Sequence, residues 1–148
     1  VANILYTAFA TGLSKTINWE TSVFRALLER STSAYTPDPD HVDVADLTGL
    51  VELTAAGYSR QTLATPTVTQ DDPNDRVELG CDTINFGNVA AGQTAKAIIV
   101  YQQVGGSDAT PADDILVAYI DTDSGGLLPV ATGGGAFQVT IMFQLAQA

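Results

Sequence analysis

Residues 136–145 constrain the chain more than any other stretch. Phe137, Val139, Ile141, Phe143 and Leu145 alternate there with Gln138, Thr140, Met142 and Gln144. Successive side chains of a pleated strand point to opposite faces, so a period of two marks a strand with one buried face. A helix would scatter the same residues around its whole surface. A strand cannot stand alone, and the pattern therefore predicts a sheet with a hydrophobic layer against it.

Other segments supply partners. Residues 76–82 set Val77, Leu79 and Cys81 against Arg76, Glu78 and Asp82. Residues 95–102 set Ala97, Ile99 and Tyr101 on one side against Lys96, Ile98 and Val100 on the other, so both sides are largely apolar. That pattern suits a central strand covered on both faces. Residues 115–120 read the same way, residues 22–28 are a short apolar run, and residues 50–53 suggest another strand. Turn-rich connections separate these segments, among them 70–75, 105–108, 123–126 and 133–135. The expectation is one domain over 1–148, mainly β, a β-sandwich or jelly-roll-like antiparallel fold.

Residues 1–14 differ. They contain no charged side chain, and Ile4, Leu5, Ala8, Phe9 and Leu13 recur at helical spacing. Asn3 is placed to cap such a helix and Gly12 lies near its end. The reading is a short N-terminal helix or arm, with a short strand as the competing assignment. Burying each large apolar side chain is worth roughly 1.5–3 kcal/mol, so the stripe must be covered. The expectation is that a neighbouring subunit covers it.

Net charge excludes some partners. The chain carries 17 acidic and 6 basic residues, a formal charge of -11. Nucleic-acid binding depends on Lys and Arg neutralising phosphates, and a surface this negative repels them. No apolar run reaches the roughly 18 consecutive positions that a membrane helix needs. The first residues, Val1-Ala2-Asn3, show no basic segment of a secretory signal, and synthesis in the cytoplasm is expected.

The chemistry-bearing residues do not assemble into a motif. Asp38, Asp40, His41, Asp43 and Asp46 are the densest acidic cluster. A calcium-binding EF-hand loop counted from Asp38 needs glycine at its sixth position and glutamate at its twelfth, where Asp43 and Gly49 stand. The carboxylates are read instead as capping groups, with Asp40 or Asp43 starting a helical turn through Ala45 and Leu47. Asp121 and Asp123 read as a turn after a strand. Cys81 is the only cysteine and His41 the only histidine, and Cys81 is in phase with Val77 and Leu79, as a buried apolar residue would be. There is no G-x-S-x-G elbow and no glycine-rich phosphate loop. No catalytic residue, metal ligand or cofactor is expected.

Asn18-Trp19-Glu20-Thr21, Ala26-Leu27-Leu28, Tyr35-Thr36-Pro37-Asp38, His41, Asp46-Leu47, Glu52 and Gly57-Tyr58 form a dispersed pattern. It continues through Asn74-Asp75-Arg76-Val77, Ile98-Ile99-Val100-Tyr101 and Leu116-Val117-Ala118-Tyr119-Ile120-Asp121. Over most of its length the chain resembles small structural proteins of tailed bacteriophages, described as virion or tail-fibre-like. The resemblance brings no catalytic residues. It implies a virion protein, and small size, acidity and a compact β fold favour a capsid decoration (cement) protein. A tail, neck or fibre-base component and a carbohydrate-binding β-sandwich module are the alternatives. The implied partners are the major capsid protein or other virion proteins and further copies of the chain, with neither nucleic acid nor membrane. Ile4, Leu5, Phe9 and Leu13, with Tyr35 and Tyr58 from the loops, are the candidate interface.

Overall fold

Five consecutive residues, Ala97, Ile98, Ile99, Val100 and Tyr101, are all 0% exposed. Burial on both faces makes their strand, β7 (Thr94–Gln102), the centre of the fold. The computed structural model describes residues 3–13, 15–121 and 128–146. Within them the chain is mainly β, a sandwich-like arrangement of antiparallel sheets with one short helix near the N-terminus.

β7 is flanked by β2 (Phe24–Arg30) and β8 (Ile115–Ile120), both antiparallel to it. β1 (Ile4–Leu5) extends the sheet beyond β8, and β3 (Gln61–Thr62) extends it beyond β2. β9 (Val130–Ala131) pairs with Thr94 and Ala95, on the same side of β7 as β8 but along the stretch that β8 does not reach. This six-stranded sheet has two covered faces. A second layer covers the inner one. It holds a three-stranded sheet of β4 (Thr67–Asp71), β5 (Arg76–Gly80) and β11 (Met142–Ala146), and a pair formed by β6 (Ile84–Asn88) and β10 (Ala136–Val139). The core between the layers contains Phe24, Leu28, Ile98, Val100 and Val117 from one side and Leu79, Phe86, Phe137, Val139 and Phe143 from the other. The outer face, with Leu27, Ile99, Tyr101, Leu116 and Tyr119, is covered by a loop that contributes Tyr35, Val44, Leu47 and Leu50.

Residues 136–145 keep their alternation but not their continuity. Phe137, Val139, Ile141 and Phe143 are buried, and Gln138, Thr140, Met142 and Gln144 are exposed. The strand nevertheless breaks at Thr140 and Ile141, so β10 pairs with β6 while β11 pairs with β5. A side-chain pattern specifies which face is buried. It does not specify which neighbour accepts the backbone hydrogen bonds.

The N-terminal expectation is corrected on two points. Ile4 and Leu5 form a strand, and the helix, α1, runs only over Thr7–Leu13. Neighbouring residues of a strand face opposite ways, so Leu5 packs on the inner cluster and Ile4 on the outer one. Asn3 therefore caps no helix; its Oδ1 accepts a hydrogen bond from the Asp121 backbone N–H at 3.0 Å. The second point is coverage. Phe9 is 0% exposed and meets Trp19 and Phe24 edge to face, with ring centroids 6.0 and 6.3 Å apart. The chain's own core, not a neighbouring subunit, covers the centre of the apolar stripe.

Residues 50–53 form no strand; they contribute one isolated bridge, Glu52 to Glu29, beside β2. Backbone bonds from Arg30 N–H to the Val51 carbonyl and from Leu53 N–H to the Leu28 carbonyl hold them there. The 3₁₀ turn Val44–Asp46 matches the expected capped turn. Asp43 accepts from the Ala45 N–H, and Asp46 reaches back to the Asp43 N–H as a capping box. The turn read at Asp121 and Asp123 continues outside the described residues.

Candidate functional site

The six interface candidates do not converge on one surface. Phe9 and Tyr35 are buried at 0% and 4% exposure, and Ile4, Leu5, Leu13 and Tyr58 are half-buried. Leu5, Phe9, Leu13 and Tyr58 belong to the inner cluster, Ile4 and Tyr35 to the outer one. What the fold does gather is polar: one group on the outer face of the six-stranded sheet and one that runs from its β2 edge onto that face.

The first group surrounds Glu29, whose side chain is 0% exposed near the C-terminal end of β2. Tyr119 donates to its Oε2 at 2.8 Å, and Lys96 Nζ stands 3.5 Å from its Oε1. Alongside, the Tyr6 and Tyr35 hydroxyls lie 2.8 Å apart, and the Tyr35 hydroxyl is 2.9 Å from His41 Nδ1. Burial raises the pKa of Tyr6, Tyr35 and Tyr119 above the ordinary phenol value, and the Glu29 carboxylate adds to the rise at Tyr119. These phenols stay protonated at neutral pH, and Tyr119 donates its hydrogen to Glu29.

The second group begins at Gly57. Its φ is +85°, and a Cβ there would strike the carbonyl oxygen of Asn88, so only glycine allows this turn so close to β6. The turn brings Tyr58 across the edge of β2. Its hydroxyl accepts from the Leu28 N–H at 2.9 Å and donates to Glu52 Oε1 at 2.7 Å, while its ring stacks on Phe86. Glu52 receives Arg60 in a fork, from Nε at 3.0 Å and Nη2 at 2.8 Å. Arg60 also lies over the Tyr101 ring, 5.6 Å from its centroid, and donates to the Tyr101 hydroxyl. Tyr101 passes a hydrogen bond to Asp108 at 2.8 Å, where Gln103 and Arg25 also donate. Burial pushes the Tyr101 phenol up to about 12. Burial alone would raise Asp108, but hydrogen bonds from Tyr101 and Gln103 and the charge of Arg25 outweigh it and hold the carboxyl below its ordinary value.

Chemically, these groups hold one another. Glu29, Glu52 and Asp108 each bind a cation and a phenol, and the phenols are donors to them. His41 bonds to Tyr35 beside the outer cluster, whereas Cys81 packs against the inner one, so the single thiol and the single imidazole are not partners. Burial, with Asp82 nearby, pushes the Cys81 thiol up to about 11, opposite to what an activated nucleophile needs. In the acidic loop, Asp38 accepts from the Asp40 N–H and Asp46 from the Val42 N–H. Among the described residues, no three His, Cys, Asp or Glu side chains converge as metal ligands would. No helix among them is long and apolar enough to cross a membrane.

Open grooves on the described surface include two that border the N-terminal segment. One of about 430 Å³ lies between β1 and β8 on one side and β11 on the other, with Leu5, Ile120 and Phe143 in its wall. The other, about 460 Å³, runs beside α1 between Lys15 and Asp40. Comparison with protein-family models, with curated proteins and with solved structures yields no match.

Sequence reasoning missed Glu29, Glu52, Arg60, Tyr101 and Asp108. Glu29 had a readable signal, since a lone carboxylate at the end of Phe24-Arg25-Ala26-Leu27-Leu28 is an ionic group in an apolar strand and needs a partner. The others come from the 52–60 loop, β7 and the 103–108 loop, and only the fold brings them together.

Proposed function

We propose that this chain is a structural protein of a tailed-bacteriophage particle, and specifically a decoration protein. It would sit on the outside of the head, bind the major capsid protein, join neighbouring capsomers and help the shell resist the pressure of packaged DNA. The observation that carries this reading is how the ionic side chains are used. Arg25, Arg60, Glu52 and Asp108 tie the 52–60 and 103–108 loops to the sheet, and each of the two carboxylates is engaged by an arginine and a tyrosine. Side chains arranged as cross-links suit a mechanical role. The formal charge of -11 suits a site outside the shell, away from DNA, and the sequence resemblance points to the same class. The reading assigns the chain no catalytic role and no cofactor.

Immunogold labelling of intact particles tests it. Even decoration of the heads is expected. Gold confined to the tail or collar would overturn the decoration role and favour a tail, neck or fibre-base component. Particles that carry no label would remove the virion reading altogether.

A further inference from the structure

The loop that covers the outer face carries the chain's single histidine, and that histidine ends a buried row of hydroxyls. Tyr6, at the junction of β1 and α1, is 0% exposed, and Tyr35 is 4% exposed. The Tyr6 and Tyr35 hydroxyls are 2.8 Å apart, and the Tyr35 hydroxyl is 2.9 Å from His41 Nδ1. Among the described residues no other acceptor lies within hydrogen-bond distance of either hydroxyl. The Asp38 N–H beside the Tyr35 oxygen is a further donor. With Nδ1 bare, Tyr6 donates to Tyr35 and Tyr35 to His41, so each phenol hydrogen has an acceptor. With a proton on Nδ1 the same two contacts must hold three hydrogens. One phenol hydrogen is then buried without an acceptor, whichever way the row points, and an unmade bond at a buried site is costly.

We propose that His41 is an acid-sensitive latch on this loop: the neutral imidazole holds residues 35–47 against the sheet through Tyr35 and Tyr6, and protonation releases them. The surroundings draw the charged form away from the phenols. The loop itself brings Asp38, Asp40, Asp43 and Asp46. The Val42 and Asp43 N–H groups, with His41 nearby, hold the Asp46 carboxyl below its ordinary value. From the sheet, Glu29 acts on Tyr6 and Tyr35, but it is already engaged by Lys96 and Tyr119. At the start of β8, the Asp114 carbonyl accepts from the Val44 N–H, and Lys15 faces the groove beside α1 together with Asp40. The loop's carboxylates thus attract an imidazolium, whereas the row of hydroxyls rejects it. His41 lies between Asp40 and Val42, which line that groove, so the groove is the surface that responds. The latch is complete on the neutral side and is lost as pH falls through the range in which an imidazole takes its second proton, about pH 7 to 6. The inference stands on the count of hydrogens and holds whether or not the chain belongs to a virion.

Hydrogen–deuterium exchange of the whole chain, read by mass spectrometry at about pH 7.5 and 5.5 and corrected for the intrinsic rate, tests it. Peptides covering 35–47 should lose protection about tenfold at the lower pH, the scale of one buried bond left unmade, while peptides of β7 keep theirs. H41N places an amide oxygen near the position of Nδ1 and cannot titrate, so its 35–47 segment should be equally protected at both values. Y35F cuts the row. It should be less protected than the wild type at the higher pH and lose nothing more at the lower. Thermal melting monitored by circular dichroism at both values checks that each variant is folded, and should H41N fail to fold, Y35F alone decides. No change in the wild type, a loss that persists in H41N, or a loss that spreads equally to β7 would overturn the proposal. A loss that survives in Y35F but not in H41N would overturn it in favour of a direct effect of charge on the acidic loop.

Discussion

The two faces of the six-stranded sheet are both buried, yet they are built from different materials. The inner face meets other sheets, whose backbones satisfy themselves through their own ladders. Its side chains need only fill space, and they are mostly aliphatic, with Phe9, Trp19, Phe24 and Phe143 as aromatic anchors. The outer face is covered by a loop whose backbone has no ladder. Side chains with an apolar body and a polar tip dominate there: Tyr6, Tyr35, Tyr101 and Tyr119, with Glu29 among them. A sheet can thus be sealed with shape alone when another sheet covers it, but needs hydroxyls and charges when a loop does.

The inner face should break first. Phe9 joins α1 to Trp19 and Phe24, and its ring has no solvent exposure. Phe9→Ala should cost about 3–5 kcal/mol, the lost transfer energy plus the cavity left beside the Trp19 and Phe24 rings. Leu5→Asp with Phe9→Asp, which would leave a foldable domain if a neighbour covered the stripe, should unfold the chain, because it puts a bare carboxylate into the core. Urea denaturation of both variants measures this. A Phe9→Ala loss below about 1 kcal/mol would mean that the helix is loosely attached.

On the outer face the expected effect is smaller. Tyr119→Phe keeps the ring and removes only the donor to Glu29 Oε2. A hydrogen bond to a charged group contributes about 1.5–3 kcal/mol, and Lys96 remains as a partner on the other oxygen. Stability should fall within that range with no change in fold. An equal loss in Tyr119→Phe and Phe9→Ala would erase the distinction between the two faces.

This contrast also explains what could be read from sequence. The inner face was legible, because strands β5, β7 and β8 announce themselves by alternation or by runs of apolar residues. The outer face was not. Its cover, around Tyr35, Val44 and Leu47, has no period, and proline and aspartate in it signal only a loop. The N-terminal segment misled for a third reason. Ile4, Leu5 and Phe9 fit a helical stripe, but their spacing is equally satisfied by a two-residue strand followed by a helix that starts at Thr7. Pairing with Tyr119 and Ala118 decides the matter, and that is tertiary information.

The smallest expected effect lies at the rim of the outer face and appears as a pH dependence. Tyr101, Gln103 and Arg25 hold the Asp108 carboxyl below its ordinary value in the folded chain, against the opposing effect of burial. In the unfolded chain that carboxyl takes up its proton near the ordinary aspartate pKa, about 3.9. A group whose pKa is depressed by folding stabilises the native state above the unfolded value. That contribution is lost as pH falls through the folded one. Asp108→Asn cannot titrate, and it weakens the bond to Arg25, whose partly exposed pairing with Asp108 is worth on the order of 1 kcal/mol or less. The stability gap between wild type and Asp108→Asn should therefore be constant from about pH 7 to 5 and should close as pH drops below about 4. Asp46, also depressed, titrates in both proteins and cancels from the difference. Chemical denaturation of the pair at several pH values measures the gap. A gap that stays constant down to about pH 2.5 would mean that the carboxylate charge adds nothing to the cross-link, and the rim would then be held by Glu52 and Arg60 alone.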